Sequence, residues 1–156
     1  MKLDELKKRY EILRKKHSLP EFIELNKLFE IEKIDKESDL LLRDVRKVMM
    51  DKILEHLRLV EMLINPSIAP PMFLQFVRKV SFDERKIFEK VYVKLILIEL
   101  VALELEIAYE EEKEAAMIKN ILNTWKELIP DMNSIIKIMR RNFEGTSEKK
   151  DKSYLG

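Results

Sequence analysis

Cysteine is absent from the 156-residue chain, and glycine and threonine are almost absent. Without cysteine the chain has no disulfide, no thiolate zinc site and no cysteine nucleophile. The two glycines, Gly145 and Gly156, lie near the C-terminal end, and Thr124 and Thr146 are the two threonines. Because a sheet needs turn glycines and β-formers, this scarcity, together with abundant Leu, Ile, Glu and Lys, predicts an all-α fold. We predict a multi-helix bundle with two long core helices.

An uninterrupted hydrophobic run long enough for a membrane span is also missing. The most apolar segment, Val91–Leu105, is broken by Lys94, Glu99 and Glu104, whereas a spanning helix needs about 18 or more apolar residues. The N-terminal residues contain no apolar core of the length that a signal peptide requires. We therefore predict a soluble, cytoplasmic protein without a membrane partner.

The stretch from Leu40 to Ile64 is the element around which the rest of the chain is organised. Its apolar residues recur every three or four positions, which is the repeat of one helix face, and Asn65-Pro66 ends the pattern because proline cannot continue a helix. We predict that this face fills the core of the domain through Leu42, Val45, Met49, Ile53, Leu57 and Ile64.

Further helices are indicated on both sides of this element. One is predicted from Leu3 to Lys16, and short serine-to-glutamate capping boxes at 18–21 and 81–84 are expected to begin the next helix and a long apolar helix. A short helix is expected over Met72–Lys79.

The C-terminal part of the chain is expected to contain two more helices. Pro130 is predicted to end the first and Gly145 the second. The sequence thus predicts a helical bundle over residues 1–144, followed by a tail, 145–156, that is too polar to be ordered.

Charge is unevenly distributed, although the net charge is only +1. Residues 2–16 carry seven Lys or Arg against three acids, and residues 99–114 carry seven Glu against one Lys. These two segments could attract each other, or each could attract a separate partner. A candidate basic patch for phosphate contact consists of Lys7, Lys8, Arg14, Lys15, Lys16, Arg140 and Arg141. It supports an alternative function, a small helical protein that binds nucleic acid through basic helices.

Residues with the spacing of a catalytic or metal site are not evident. His17 and His56 lie on different predicted helices, and neither forms the Glu-x-x-His element of helical di-iron sites. Glycine-rich phosphate loops are excluded because no glycine precedes Gly145. We predict no catalytic residues, no metal and no cofactor, and a non-enzymatic protein.

Two segments are similar to the helical domain of a GINS subunit, a replication factor of archaea and eukaryotes. RDVRKVMMDKILEHLRLVEMLI at 43–64 resembles the long helix of that family, with Arg58 where its basic residue is expected. VSFDERKIFEKVYVKL at 80–95 resembles the capped, acid-rich start of the following helix. No small β-domain, which GINS subunits commonly carry, is expected after residue 100.

The resemblance implies a subunit that scaffolds a DNA replication complex. Such subunits assemble through their helices into an oligomer, and the complex bridges the MCM helicase and a RecJ-like partner. A second GINS-type subunit is therefore an expected partner, with any nucleic-acid contact indirect. The surplus of apolar residues on the long helix also favours burial against another subunit. The candidate interface residues are Val91, Leu95, Ile98, Val101 and Leu105.

Overall fold

The structure, a computed structural model, describes the backbone of residues 1–154 and the side chains of residues 1–145. The structure is 83% helical, and its described residues form six α-helices without a strand. The predicted all-α fold is confirmed. In chain order the helices are α1 (Leu3–His17), α2 (Phe22–Phe29), α3 (Leu41–Ile64), α4 (Pro71–Val77), α5 (Phe82–Ile107) and α6 (Glu111–Tyr154).

Contacts divide the chain into two compact units. The first unit consists of Met1–Glu55 and Ile96–Lys126, and the second consists of His56–Leu95 and the described residues from Glu127 onward. The helical region predicted as one domain over residues 1–144 therefore contains two units, each with its own buried residues.

The first unit is built on the N-terminal part of α3. Its predicted core residues Leu42, Val45, Met49 and Ile53 are all buried, as the three-to-four-residue repeat requires. The helices α1 and α2 add Leu6, Tyr10, Leu25 and Phe29 to the same unit. The Tyr10 hydroxyl donates a hydrogen bond of 2.7 Å to the Pro20 carbonyl, which fixes the turn between α1 and α2.

The predicted capping box at Ser18 is wrong. Ser18 instead ends α1 in the left-handed conformation, with φ of 53°, and its backbone N–H bonds to the Arg14 carbonyl. The residue before α2 is Glu21, which makes no side-chain cap. A serine three residues before a glutamate therefore served here to close one helix rather than to open the next.

The second unit contains the C-terminal part of α3 and the N-terminal part of α5. Leu57 is buried as predicted, whereas Ile64 is partly exposed and Leu63 is buried in its place. The capping box that begins α5 is confirmed. The Ser81 hydroxyl accepts from the Glu84 N–H at 3.2 Å, and the Glu84 carboxylate accepts from the Ser81 N–H at 3.2 Å.

The predicted ends of the last two helices are wrong, because α6 continues through both Pro130 and Gly145 to Tyr154. Pro130 is exposed, so a helix carbonyl left without its partner can bond to water. Gly145 does not take a positive φ, which is the conformation by which glycine ends a helix. The predicted disordered tail is thus helical in its backbone to residue 154, and residues 155–156 lie outside the described residues.

Candidate interaction surface

An apolar strip runs along the solvent side of the C-terminal part of α5, within the first unit. It consists of five large side chains, which we call the outer face of α5. Their exposed fractions are 56% for Leu97, 53% for Leu100, 41% for Val101, 54% for Leu103 and 87% for Ile107. Since single exposed apolar residues are ordinary but a contiguous group is not, this strip is a candidate contact surface.

The residues predicted as an interface mostly occupy the opposite side of α5. Val91, Leu95, Ile98 and Leu105 are buried within the chain's own units, and Val101 is the one that is exposed. The four buried residues are therefore corrected from interface to core. The physical reason is that α5 has Glu99 as its one polar residue from 95 to 103, so its pattern could not indicate which side faces the core.

Two grooves flank the outer face of α5. The α5–α6 groove has a volume of about 360 Å³ and is lined by Val101, Glu104, Leu105, Ala108, Glu110, Lys113, Ala116, Met117 and Asn120. The α3–α5 groove has a volume of about 390 Å³ and is lined by Arg46, Lys47, Met50, Asp51, Leu54, Glu99, Ala102, Leu103 and Glu106. The outer face of α5 is therefore a ridge between two shallow depressions, a shape that can receive a helix on either side.

A buried ion network holds α3, α5 and α6 together in the first unit. Arg46 is 2% exposed and Glu114 is 0% exposed. The Arg46 guanidinium donates to Glu114 at 2.5 and 3.2 Å and to Glu106 at 2.6 Å. Because the three residues lie on three different helices, this network fixes the end of α5 and the start of α6, on which the outer face of α5 depends.

The network also shifts the pKa values of Arg46 and Glu106. Burial alone would lower the pKa of Arg46, but the hydrogen bonds that it donates to Glu114 and Glu106 outweigh burial, and the pKa is raised. The hydrogen bond from Arg46 is the main cause that lowers the pKa of Glu106 below the ordinary value of a glutamate. The guanidinium and the Glu106 carboxylate therefore both remain charged near neutral pH.

Neither Arg46 nor Glu114 was identified as important from the sequence. A signal was present, because Arg46 lies one position from Val45 in the apolar repeat of α3, and Glu114 lies four residues before the buried Ile118. Two opposite charges on core-facing positions of different helices are expected to pair, since an unpaired buried charge is costly.

The attraction between the basic first helix and the acidic segment is confirmed at one point. Glu111 accepts from Lys16 at 2.6 Å and contacts the Nε2 of His17 at 2.7 Å. Hydrogen bonds with Lys16 and then His17 lower the pKa of Glu111. The His17 ring thus belongs to the contact between α1 and α6.

The seven residues of the candidate basic patch are not gathered in one unit. Lys7, Lys8, Arg14, Lys15 and Lys16 lie on α1 in the first unit, whereas Arg140 and Arg141 lie on α6 in the second. Three of them already have acidic partners. Arg14 pairs with Glu11 at 2.7 Å, Lys16 with Glu111, and Arg141 with Glu84 at 2.9 Å.

Within the described residues, no three His, Cys, Asp or Glu side chains converge as metal ligands would. Over the same residues, no helix combines the length and the apolar character needed to cross a bilayer. Comparisons of the chain with models of known protein families, with curated proteins and with solved structures find no match.

Proposed function

We propose that this protein is a non-enzymatic scaffold that binds other proteins through helix–helix contacts. The observation that carries the proposal is the outer face of α5, where Leu97, Leu100, Leu103 and Ile107 are each more than half exposed along one helix. Such a strip is stabilised when it is removed from water. The buried Arg46 network ties the end of α5 to α3 and α6, an arrangement that reduces the ordering needed when a partner binds.

The size of this strip indicates what it contributes to a complex. Fully burying one large apolar side chain is worth about 1.5–3 kcal/mol, so covering the exposed half of five of them gives about 5 kcal/mol. Association itself costs about 4–15 kcal/mol. The outer face of α5 therefore acts as the apolar centre of a larger interface, to which the grooves and their charged rims add further contacts.

The particular complex is suggested by the sequence resemblance alone. Segments 43–64 and 80–95 resemble the helical domain of GINS subunits, and both are largely helical, in α3 and α5. On this basis we propose a subunit of a GINS-like DNA replication complex that bridges the MCM helicase and a RecJ-like protein. A second GINS-type subunit is the proposed partner for the outer face of α5.

The test is the solution mass of the purified chain, alone and mixed with each candidate partner, at low and high salt. The proposal expects an oligomer or a stable complex that persists at high salt, because apolar burial is not screened by ions. A chain that stays monomeric and ignores all three partners would contradict it. If it instead bound DNA with an affinity that falls steeply with salt, the function would be nucleic-acid binding through the basic helices.

A further inference from the structure

The α5–α6 groove has the shape of a helix-docking site. Val101, Leu105 and Met117 give it an apolar lining, and the small side chains of Ala108 and Ala116 leave its middle open. The part of α5 beside the groove, from Val101 to the helix end at Ile107, is about two helix turns long. A volume of about 360 Å³ is near the low end of the 300–1,000 Å³ typical of small-molecule sites. It suits apolar side chains from one face of a helix better than a whole cofactor.

The charge on the rim of the groove is acidic. The lining contains Glu104 and Glu110 against Lys113, a net charge of −1. Lys113 is already paired with Glu110 at 2.7 Å, whereas Glu104 has no ion pair among the described residues. Glu104 attracts Lys113 electrostatically without forming an ion pair with it, so the groove keeps a net negative charge and offers the Glu104 carboxylate to a docking partner.

The groove on the other side of the ridge is also acidic. The α3–α5 groove contains Arg46, which is held by Glu114 and Glu106, and Lys47, which lies 3.7 Å from Glu106. Its lining also includes Asp51, Glu99 and Glu106, so three carboxylates against Arg46 and Lys47 give it the same net charge of −1. Charge complementarity thus favours a basic partner along both sides of the ridge. The small side chains of Ala108 and Ala116 favour the α5–α6 groove as the place where apolar residues of that partner dock.

Pairing of α5 with α5 of a second copy fits the charges less well. A two-fold contact through the outer face of α5 would bring Glu99 and Glu104 of both copies to one apolar seam. Neither glutamate has an ion pair among the described residues, and the five apolar residues of the outer face of α5 offer them no base. Like charges across an interface oppose binding, so a partner with basic residues is the better occupant.

We propose that the α5–α6 groove is the docking site for a basic amphipathic helix of a partner protein. Apolar side chains of that helix would fill the space over Ala108 and Ala116, and a lysine or arginine beside them would pair with Glu104. The outer face of α5, through Leu97 and Leu100, would extend the contact along the same helix. This inference rests on the proposed scaffold function and adds the chemistry of the partner to it.

The probes are two hydrocarbon-stapled peptides of about 14 residues, stapled because isolated helices of that length are marginal in water. They share the same leucine positions, and one carries lysines where the other carries glutamates. Fluorescence anisotropy should show the lysine peptide binding at least about ten-fold more tightly than the glutamate peptide. Equal binding of the two, or no binding of the lysine peptide, would overturn the proposal.

Two pairs of variants locate the site. Glu104→Lys should weaken the lysine peptide about five-fold, whereas Glu5→Lys, the same charge change on exposed α1, should weaken it much less. Ala116→Leu should fill the groove and weaken binding at least about ten-fold, whereas Asn123→Leu adds similar bulk at an exposed position of the same helix. Circular dichroism checks that all four variants fold. If Glu104→Lys weakens binding no more than Glu5→Lys does, or Ala116→Leu no more than Asn123→Leu does, the groove is not the site.

Failure of this inference can be separated from failure of the scaffold proposal. One result would be a partner complex that is lost when Leu97 and Leu100 are made polar, while the lysine and glutamate peptides bind equally well. This result would overturn the basic-helix inference and leave the scaffold proposal standing. A dimer of the chain alone that disappears in Ala116→Leu would assign the groove to a second copy and also overturn it. If the chain forms no complex with any candidate partner, both the scaffold proposal and the basic-helix inference are wrong.

Discussion

The two sides of α5 between Ile96 and Ile107 both carry apolar residues but have different surroundings. On the sealed side Ile98, Ala102 and Leu105 are buried, and Glu106 reaches the Arg46 network. On the open side Leu97, Leu100 and Leu103 remain more than half exposed. The difference shows that burial here is decided by the neighbouring helices α3 and α6, and not by the hydrophobicity of α5 itself.

This comparison assigns different roles to residues that look alike. Side chains on the sealed side hold the first unit together, so their loss is expected to reduce the free energy of unfolding. Side chains on the open side contribute little to folding and are expected to contribute to association. Substitutions on the two sides should therefore separate stability from binding.

The largest effect is expected from breaking the buried ion network that anchors the sealed side. Glu114→Ala leaves the Arg46 guanidinium buried with only Glu106 to compensate, which should lower the free energy of unfolding by about 3–5 kcal/mol. Urea unfolding measures the loss. The exposed neighbour Glu112 is the control, and Glu112→Ala should stay within about 1 kcal/mol of the parent.

A double variant sharpens this test. Replacing both charges, as in Arg46→Met with Glu114→Leu, removes the cost of an unpaired buried charge and should recover part of the stability lost in Glu114→Ala. If Glu114→Ala were no less stable than Glu112→Ala, the network would not anchor the sealed side.

The next largest effect on stability is expected from substituting adjacent residues on opposite sides of α5. Ile98→Ala removes buried methyl groups and should cost about 2–5 kcal/mol, whereas Leu97→Ala should change stability by about 0.5 kcal/mol or less. The same unfolding experiment compares the two. Similar losses for Leu97 and Ile98 would mean that the open side is covered within the chain.

The sequence was sufficient for the fold class and for much of the core. The repeat of α3 identified Leu42, Val45, Met49 and Ile53 because its polar residues mark one side clearly. It was not sufficient for α5, where the run from 95 to 103 has Glu99 as its one polar residue. Which side of such a helix is buried depends on tertiary packing, and tertiary packing is not a periodic property of one segment.

Helix ends were predicted where side chains make local hydrogen bonds and missed where they do not. The box at Ser81 and Glu84 is a reciprocal pair of short-range bonds, and it formed as predicted. Pro130 and Gly145 are weaker signals, because each disfavours a helix without preventing one. The surroundings allowed α6 to continue through both.

Acid is expected to lower the free energy of unfolding by protonating Glu106, whose carboxylate holds the sealed side to the Arg46 network. Hydrogen bonding by Arg46 lowers the pKa of Glu106 from its ordinary value of 4.5. A folded-state pKa below the unfolded value stabilises the fold above the unfolded pKa, and this contribution is lost as pH falls through the folded pKa. Stability should therefore decline below about pH 4.5, and Glu106→Gln should flatten the decline. Urea midpoints across that range test it; an unchanged slope in Glu106→Gln would contradict it.

The smallest effect is expected for an ion pair on the surface. Lys90 and Asp131 of the second unit are 2.8 Å apart, but the lysine side chain is 53% exposed. Exposed pairs contribute about 0–1 kcal/mol, so Lys90→Met should barely shift the urea midpoint, and added salt should reduce even that shift. A loss as large as that of Glu114→Ala would remove the contrast between buried and exposed charge.

The most direct test of the scaffold proposal is the solution mass, at high salt, of the mixture with a second GINS-type subunit. The parent chain is compared with a variant carrying Leu97→Ser, Leu100→Ser and Leu103→Ser. A control carries Ile12→Ser and Ile23→Ser, which remove exposed apolar side chains from α1 and α2. The account predicts a complex for the parent and the control, and free subunits for the open-side variant with its fold intact. A complex that survives in the open-side variant, or that never forms in the parent, would contradict it.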